Sequence, residues 1–236
     1  MPLIYPVGYL GPSSAIGGND ANALLLMHMD GTNGGTSFPD SSASARTVNA
    51  VGGTATTSTS VVKYGSASFS TGAAGVNYVE MTPAISTIGT GAYTYDFWIY
   101  YDGNQSTAGV AICGNYDVAA TSQWLITAGT TLNCVRMANA SGGTMFNDTT
   151  NALSITTWHH IAFVRQSTSA NGCACYKNGT SIGTYTDANN YNSSSKFRVG
   201  AQAVGGNAFV GYLDELRVSN IARWTANFTP PAGPYS

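Results

Sequence analysis

Along residues 93–101 the side chains alternate without a break. Tyr93, Tyr95, Phe97 and Ile99 fall on one side, and Thr94, Asp96, Trp98 and Tyr100 on the other. A period of two marks a β-strand with one face on a core. Short apolar or alternating runs recur at 23–29, 67–70, 78–81, 109–115, 123–128, 131–139, 144–147, 158–166, 173–177, 180–186, 197–200 and 209–219. Between two of them, Asn178-Gly179 predicts a type I′ hairpin turn, because both central positions of that turn need φ > 0. A long Ser/Gly/Thr-rich loop is expected from Gly31 to about Ser60. No helical period of useful length appears, and Ser219–Trp224 has room for a single turn capped by Ser219. Many short strands with frequent turns predict an all-β sandwich or barrel. No 20–50-residue repeat points to a propeller or solenoid.

Composition narrows the reading. Of the 236 residues 43% are hydrophobic, enough for a sizeable core, but only 8% are charged. An ordinary globular chain has roughly 25%. Helical surfaces favour Glu, Lys, Gln and Arg, so their scarcity argues for strands and turns. Net charge is −2, and the lysines are Lys63, Lys177 and Lys196. Phosphate binding needs clustered cations, so a nucleic-acid partner is excluded, and so is a polybasic membrane patch. No apolar run approaches the roughly 20 residues that span a bilayer. Cys173 and Cys175 sit two apart and share a strand face. With Cys113 and Cys134 they lack CxxC or His spacing for zinc and read as reduced, packed thiols. The Asn-x-Ser/Thr sequons, as at Asn139, Asn178 and Asn227, carry no glycan argument without a secretory route.

Residues 1–22 are punctuated by Pro and Gly and lack periodicity. They read as an arm, with residues 23–236 as one domain ending in a Pro-rich tail. The arm has no positive n-region and is not a signal peptide, so the chain is expected to be made in a cytoplasm. Leu3, Ile4, Tyr5, Val7, Tyr9 and Leu10 are apolar and are expected to dock on copies of the chain or on other proteins of an assembly.

Six stretches in order carry a resemblance: Leu24-Leu-Leu-Met-His-Met-Asp-Gly, Lys63-Tyr-Gly-Ser-Ala-Ser-Phe, Tyr95-Asp-Phe-Trp-Ile-Tyr, Trp158-His-His-Ile-Ala-Phe-Val-Arg, Tyr176-Lys-Asn-Gly and Gly211-Tyr-Leu-Asp-Glu-Leu-Arg-Val-Ser-Asn. Together they resemble the laminin-G-like jelly-roll domains of the concanavalin A-like lectin/glucanase superfamily, over about residues 23–231. The resemblance implies a two-sheet antiparallel β-sandwich with an extended N-terminal arm. Such domains occur in bacterial surface proteins and bacteriophage virion proteins. It also implies a structural calcium ion held by Asp30, the carbonyl near Gly65, and Asp214. The alternative is that Asp30 caps a turn and Asp214 meets Arg217 or a backbone N–H. No other cofactor is implied.

Catalysis is not expected. Related glucanases place two carboxylates across the scissile bond, but the only glutamates, Glu80 and Glu215, are far apart in sequence. Adjacent Asp214 and Glu215 are expected to face opposite ways, as are His159 and His160. There is no nucleophile elbow. Trp98 and Trp158 read as core. Two roles follow. In the first, the chain is a virion structural protein, a capsid decoration or tail-associated subunit whose arm docks on the particle. In the second, it is a lectin-like adhesion module of a bacterial surface. For a cell-surface glycan the candidate ligand residues are Tyr101, Asn104, Tyr116 and Trp124, near strand ends.

Overall fold

The computed structural model describes residues 18–72, 77–82, 85, 88–103, 110–115, 124–128, 133–139, 143–192, 196–201 and 209–236. In chain order the strands are β1 (Ala23–Met27), β2 (Val48–Gly52), β3 (Thr56–Ser58), β4 (Ser68–Ser70), β5 (Tyr78–Met81), β6 (Tyr93–Tyr101), β7 (Ala111–Asn115), β8 (Trp124–Ala128), β9 (Val135–Asn139), β10 (Thr144–Asn147), β11 (Trp158–Arg165), β12 (Cys173–Lys177), β13 (Thr180–Tyr185), β14 (Phe197–Val199) and β15 (Gly211–Ser219). No helix occurs among the described residues. Residues 220–224 hold bends at 220, 221 and 223 and no helical turn, so the single turn expected there is absent. The expected long loop holds two strands, β2 and β3. Both are edge strands: β2 sends only half-buried Val48 and Val51 against the core, and β3 is Thr-Thr-Ser, so neither shows a clear apolar side.

The strands form two antiparallel sheets. The eight-stranded sheet runs β13-β12-β11-β6-β15-β4-β3, with β1 also paired to β15; the seven-stranded sheet runs β10-β9-β8-β7-β14-β5-β2. Between them lies one core. From the eight-stranded sheet come Tyr93, Tyr95, Phe97 and Ile99 of β6, Ile161 and Phe163 of β11, and Leu213 and Val218 of β15. They meet Val79, Ile112, Ile126, Met137, Phe197 and Val199. Burying each such side chain contributes about 1.5–3 kcal/mol, and this supplies the driving force that the missing charges cannot. The four cysteines are free and buried. Asn178 (φ 52°) and Gly179 (φ 79°) make the β12–β13 turn.

Two registers matter for the outer face of the eight-stranded sheet. On one side of β6, Trp158 pairs with Tyr100 and His160 with Trp98. On the other, Tyr212 pairs with Tyr100, Asp214 with Trp98 and Arg217 with Asp96. The register slips between Asp214 and Arg217, where Glu215 takes φ 50°. Such a bulge sets two residues against one, so Asp214 and Arg217 share the outer face although three positions apart. The strict alternation expected of Asp214 and Glu215 is therefore broken.

Candidate functional site

The outer face of β15, β6 and β11 has a sealed part and an open part. Residues 220–236 cover the sealed part. There Arg217 donates a two-pronged hydrogen bond to Asp96, Nε to Oδ1 at 3.1 Å and Nη2 to Oδ2 at 3.0 Å. The Tyr235 hydroxyl donates to the same carboxylate and lies 3.2 Å from His160 Nε2. The Arg217 guanidinium stacks 3.9 Å from the Tyr235 ring centroid. Burial alone would raise the Asp96 carboxyl, but Arg217 and then His160 outweigh it and bring it down to about 2. Trp224 stacks on Phe228 at 4.0 Å and packs over Ala162, Val164, Ala174 and Tyr176. Residues 18–22 of the expected arm also lie here: Asn19 N donates to Ser236 O, and Asp20 accepts both Arg223 Nη groups.

One step along the same strands the cover ends. Tyr212, Tyr100 and Trp158 stand in register on three adjacent strands. Tyr100 lies 5.7 Å from the Tyr212 ring and 5.5 Å from the Trp158 ring, and all three side chains are partly exposed. Adjacent strands sit about 4.8 Å apart, so the row extends about 10 Å across the sheet. Thr156 N donates to Tyr101 O, which holds the 155–157 turn at the end of the row. There Ile155 is 41% exposed, the large hydrophobic side chain left to solvent among the described residues. Beside the row, Lys63 Nζ sits 3.9 Å over the Trp98 ring, and Trp98 Nε1 is buried without an acceptor.

The expected ligand residues fare differently. Tyr101 is corrected: it is 1% exposed, within the core and beside Phe209. It has the parity of Tyr93, Tyr95, Phe97 and Ile99, so it points inward and its neighbour Tyr100 points out. Asn104 and Tyr116 lie outside the described residues, as does the placement of the Trp124 side chain, whose backbone opens β8. The arm residues Leu3, Ile4, Tyr5, Val7, Tyr9 and Leu10 also lie outside them. Trp98 is buried as expected, whereas Trp158, expected in the core, is partly exposed.

Asp30, Gly65 and Asp214 do meet, around the 63–67 loop. Asp214 Oδ2 accepts from Lys63 N at 3.0 Å and Tyr64 N at 3.1 Å. Asp30 Oδ1 accepts from Ser66 N and from Ala67 N, and its carboxylate lies against the Gly65 α-carbon, which has no room for a Cβ. Both acids thus hold backbone amides. Asp214 Oδ1 is buried without a partner, and burial, opposed by the two amides, raises this carboxyl to about 8. Calcium takes six to eight oxygens. Among the described residues no three His, Cys, Asp or Glu side chains converge on a metal position, so backbone carbonyls would have to complete any shell around Asp214. A separate cleft of about 510 Å³ lies by β2 between Thr36–Pro39 and Arg46–Val51. Its Arg46 is held by the Leu24 carbonyl and lies 3.6 Å from Asp40.

No curated protein matches the chain. Among solved structures, domain 4 of AbnA, an extracellular arabinanase of Geobacillus stearothermophilus solved in complex with arabinotriose, is similar. Its TM-score is 0.62 at 16% identity, with 85% of this chain and 93% of that one covered. The binding domain of Paraclostridial Mosquitocidal Protein 1 (TM-score 0.57, 14% identity, 85% and 49% covered) and the receptor binding domain of botulinum neurotoxin D (0.58, 11%, 85% and 50%) share the fold. The chain spans about half the length of these two toxin domains. A family model described as the concanavalin A-like lectin/glucanases superfamily, of laminin-G type, matches residues 72–227. With two antiparallel sheets around one core and that match over well more than half its length, the chain belongs to the concanavalin A-like lectin/glucanase superfamily.

Proposed function

We propose that this domain is a non-catalytic carbohydrate-recognition module that lays a sugar chain across Tyr212, Tyr100 and Trp158. The observation that carries the reading is the row itself: three aromatic side chains in register, partly exposed, beside the part of the face that residues 220–236 seal. Aromatic rings present large, rigid area at low entropic cost, and the apolar faces of sugar rings fit them. The arabinotriose complex of the similar arabinanase domain supports a glycan as the ligand class. The neighbouring acids favour binding over hydrolysis. Asp96 is locked to Arg217, Glu215 to His28, and Asp214 is buried under two amides.

A particle or cell surface is the setting the sequence expects for such a module. The arm would anchor it, and gel filtration with and without residues 1–17 tests that part separately. The binding claim is tested on a glycan array and by titration calorimetry with arabino-oligosaccharides. Tyr100→Ala and Trp158→Ala are each expected to weaken binding about 30-fold with an unchanged circular dichroism spectrum. An array without a binder, or variants that bind as the wild type does, would overturn the reading.

A further inference from the structure

We infer that the row is built for an acidic sugar, a hexuronic acid residue whose carboxylate meets Lys63 while its hydroxyls meet Asp102. This rests on the carbohydrate-binding reading and adds the ligand class and its orientation.

The groups along β6 carry the inference. Successive outward residues of a strand stand about 6.6–7 Å apart. Moving outward from the sealed part, the outer face presents Trp98, then Tyr100 in the row, then exposed Asp102 just past the strand end. Over Trp98 stands the Lys63 ammonium, 3.9 Å from its ring centroid and 5.0 Å from that of Tyr64. Its three protons engage no hydrogen-bond acceptor among the described residues, and beneath it Trp98 Nε1 is a second donor without an acceptor. This flank of the row has donors to spare.

The acid nearest to Lys63 does not answer that need. Asp214 Oδ2 is taken by the Lys63 and Tyr64 amides. The cation–π contact holds the ammonium over the Trp98 ring, next to the row. The opposite flank has reversed polarity. Exposed Asp102 follows Tyr100 by two positions, and its N–H donates to Val210 O at 3.3 Å, which carries the strand pairing one step past β6 and sets an acceptor beyond the row's other long edge. Trp98 and Asp102 are thus about 13 Å apart with the aromatic row between them.

A hexuronic acid fits this polarity. Its carboxylate stands on one side of the ring and its vicinal hydroxyls on the other. With one face stacked on Tyr100, the carboxylate accepts from Lys63 and the hydroxyls donate to Asp102. A neutral sugar offers Lys63 only hydroxyl oxygens, which are weaker acceptors than a carboxylate.

The test compares a galacturonic acid oligomer with its methyl ester, which keeps the shape and removes the charge. Wild type is expected to bind the acid about tenfold more tightly than the ester at low salt, and the preference is expected to shrink at high salt as the charges are screened. Lys63→Met is expected to erase the preference while keeping ester binding, Lys63→Arg to retain it, and Asp102→Asn to weaken acid and ester alike. Equal binding of acid and ester by wild type, or a preference that survives Lys63→Met, overturns the inference. Should Lys63→Met fail to fold, the salt titration of wild type decides, and a salt-independent preference rules Lys63 out. Binding of neutral arabino-oligosaccharides without any uronate binding removes this inference alone. Failure to bind any sugar removes the proposed function with it.

Discussion

Three strands carry two different surfaces on one face. At Asp96, Arg217 and His160 the outer side of β6, β15 and β11 is as dry as the core, because residues 220–236 lie over it and Tyr235 plugs it. At Tyr100, Tyr212 and Trp158, on the same strands, the rings reach solvent. Buried charges are tolerable only when paired and hydrogen-bonded, and the sealed part meets that condition with the Arg217–Asp96 fork. The three rings of the open part carry no charge that needs burying, and their apolar area is left for something else to cover. The contrast separates stability from recognition: substitutions in the sealed part should destabilise the domain, and substitutions in the row should leave it folded with weakened binding.

The strongest break is Arg217→Met. It strands a buried Asp96, and loss of one partner from such a pair costs about 3–5 kcal/mol, read as a lower urea midpoint. Tyr235→Phe removes one hydroxyl from a charged acceptor and should cost about 1.5–3 kcal/mol, with no change in sugar affinity. The pH dependence follows from Asp96. Its carboxyl is depressed from 3.8 to about 2, so its contribution is present above pH 4 and is lost as pH falls from about 4 to about 2, on the order of 2 kcal/mol. Asp96→Asn should lack that segment of the stability curve. His160, which burial holds below its ordinary value against the pull of Asp96, adds a loss as pH falls below about 6.5, and Asp96→Asn, by removing that pull, should deepen it. Tyr100→Ala should cost about 1 kcal/mol or less of stability, the scale of a cross-strand pair, against the roughly 30-fold loss of binding. Ile155→Ser should change stability by no more than about 0.5 kcal/mol.

The architecture was legible because it rests on period two. The alternation of 93–100 and the Asn178-Gly179 turn are read directly from residue order, and both stand in the structure as expected. β2 and β3 were not legible, since Thr56-Thr57-Ser58 gives a strand no hydrophobic side to show. The row was half legible. The alternation that placed Tyr100 beside Asp96 and Trp98 also places Tyr101 inside, so following the parity one residue further selects the right tyrosine. What no local pattern supplies is which part of the outer face the tail covers. Trp158 and Trp224 look alike in sequence, and only the course of residues 220–236 leaves one open and buries the other. The bulge at Glu215 is similarly silent, because a non-glycine residue at positive φ carries no composition signal.

The most direct measurement is the indole N–H resonances of the four tryptophans in a nitrogen–proton correlation spectrum during titration with a bound oligosaccharide, assigned with Trp158→Phe and Trp224→Phe. The account predicts that the Trp158 signal moves as the sugar saturates while the Trp224 signal stays fixed under the tail. A sugar that binds and leaves Trp158 unmoved, or that shifts Trp224 in its place, would contradict it.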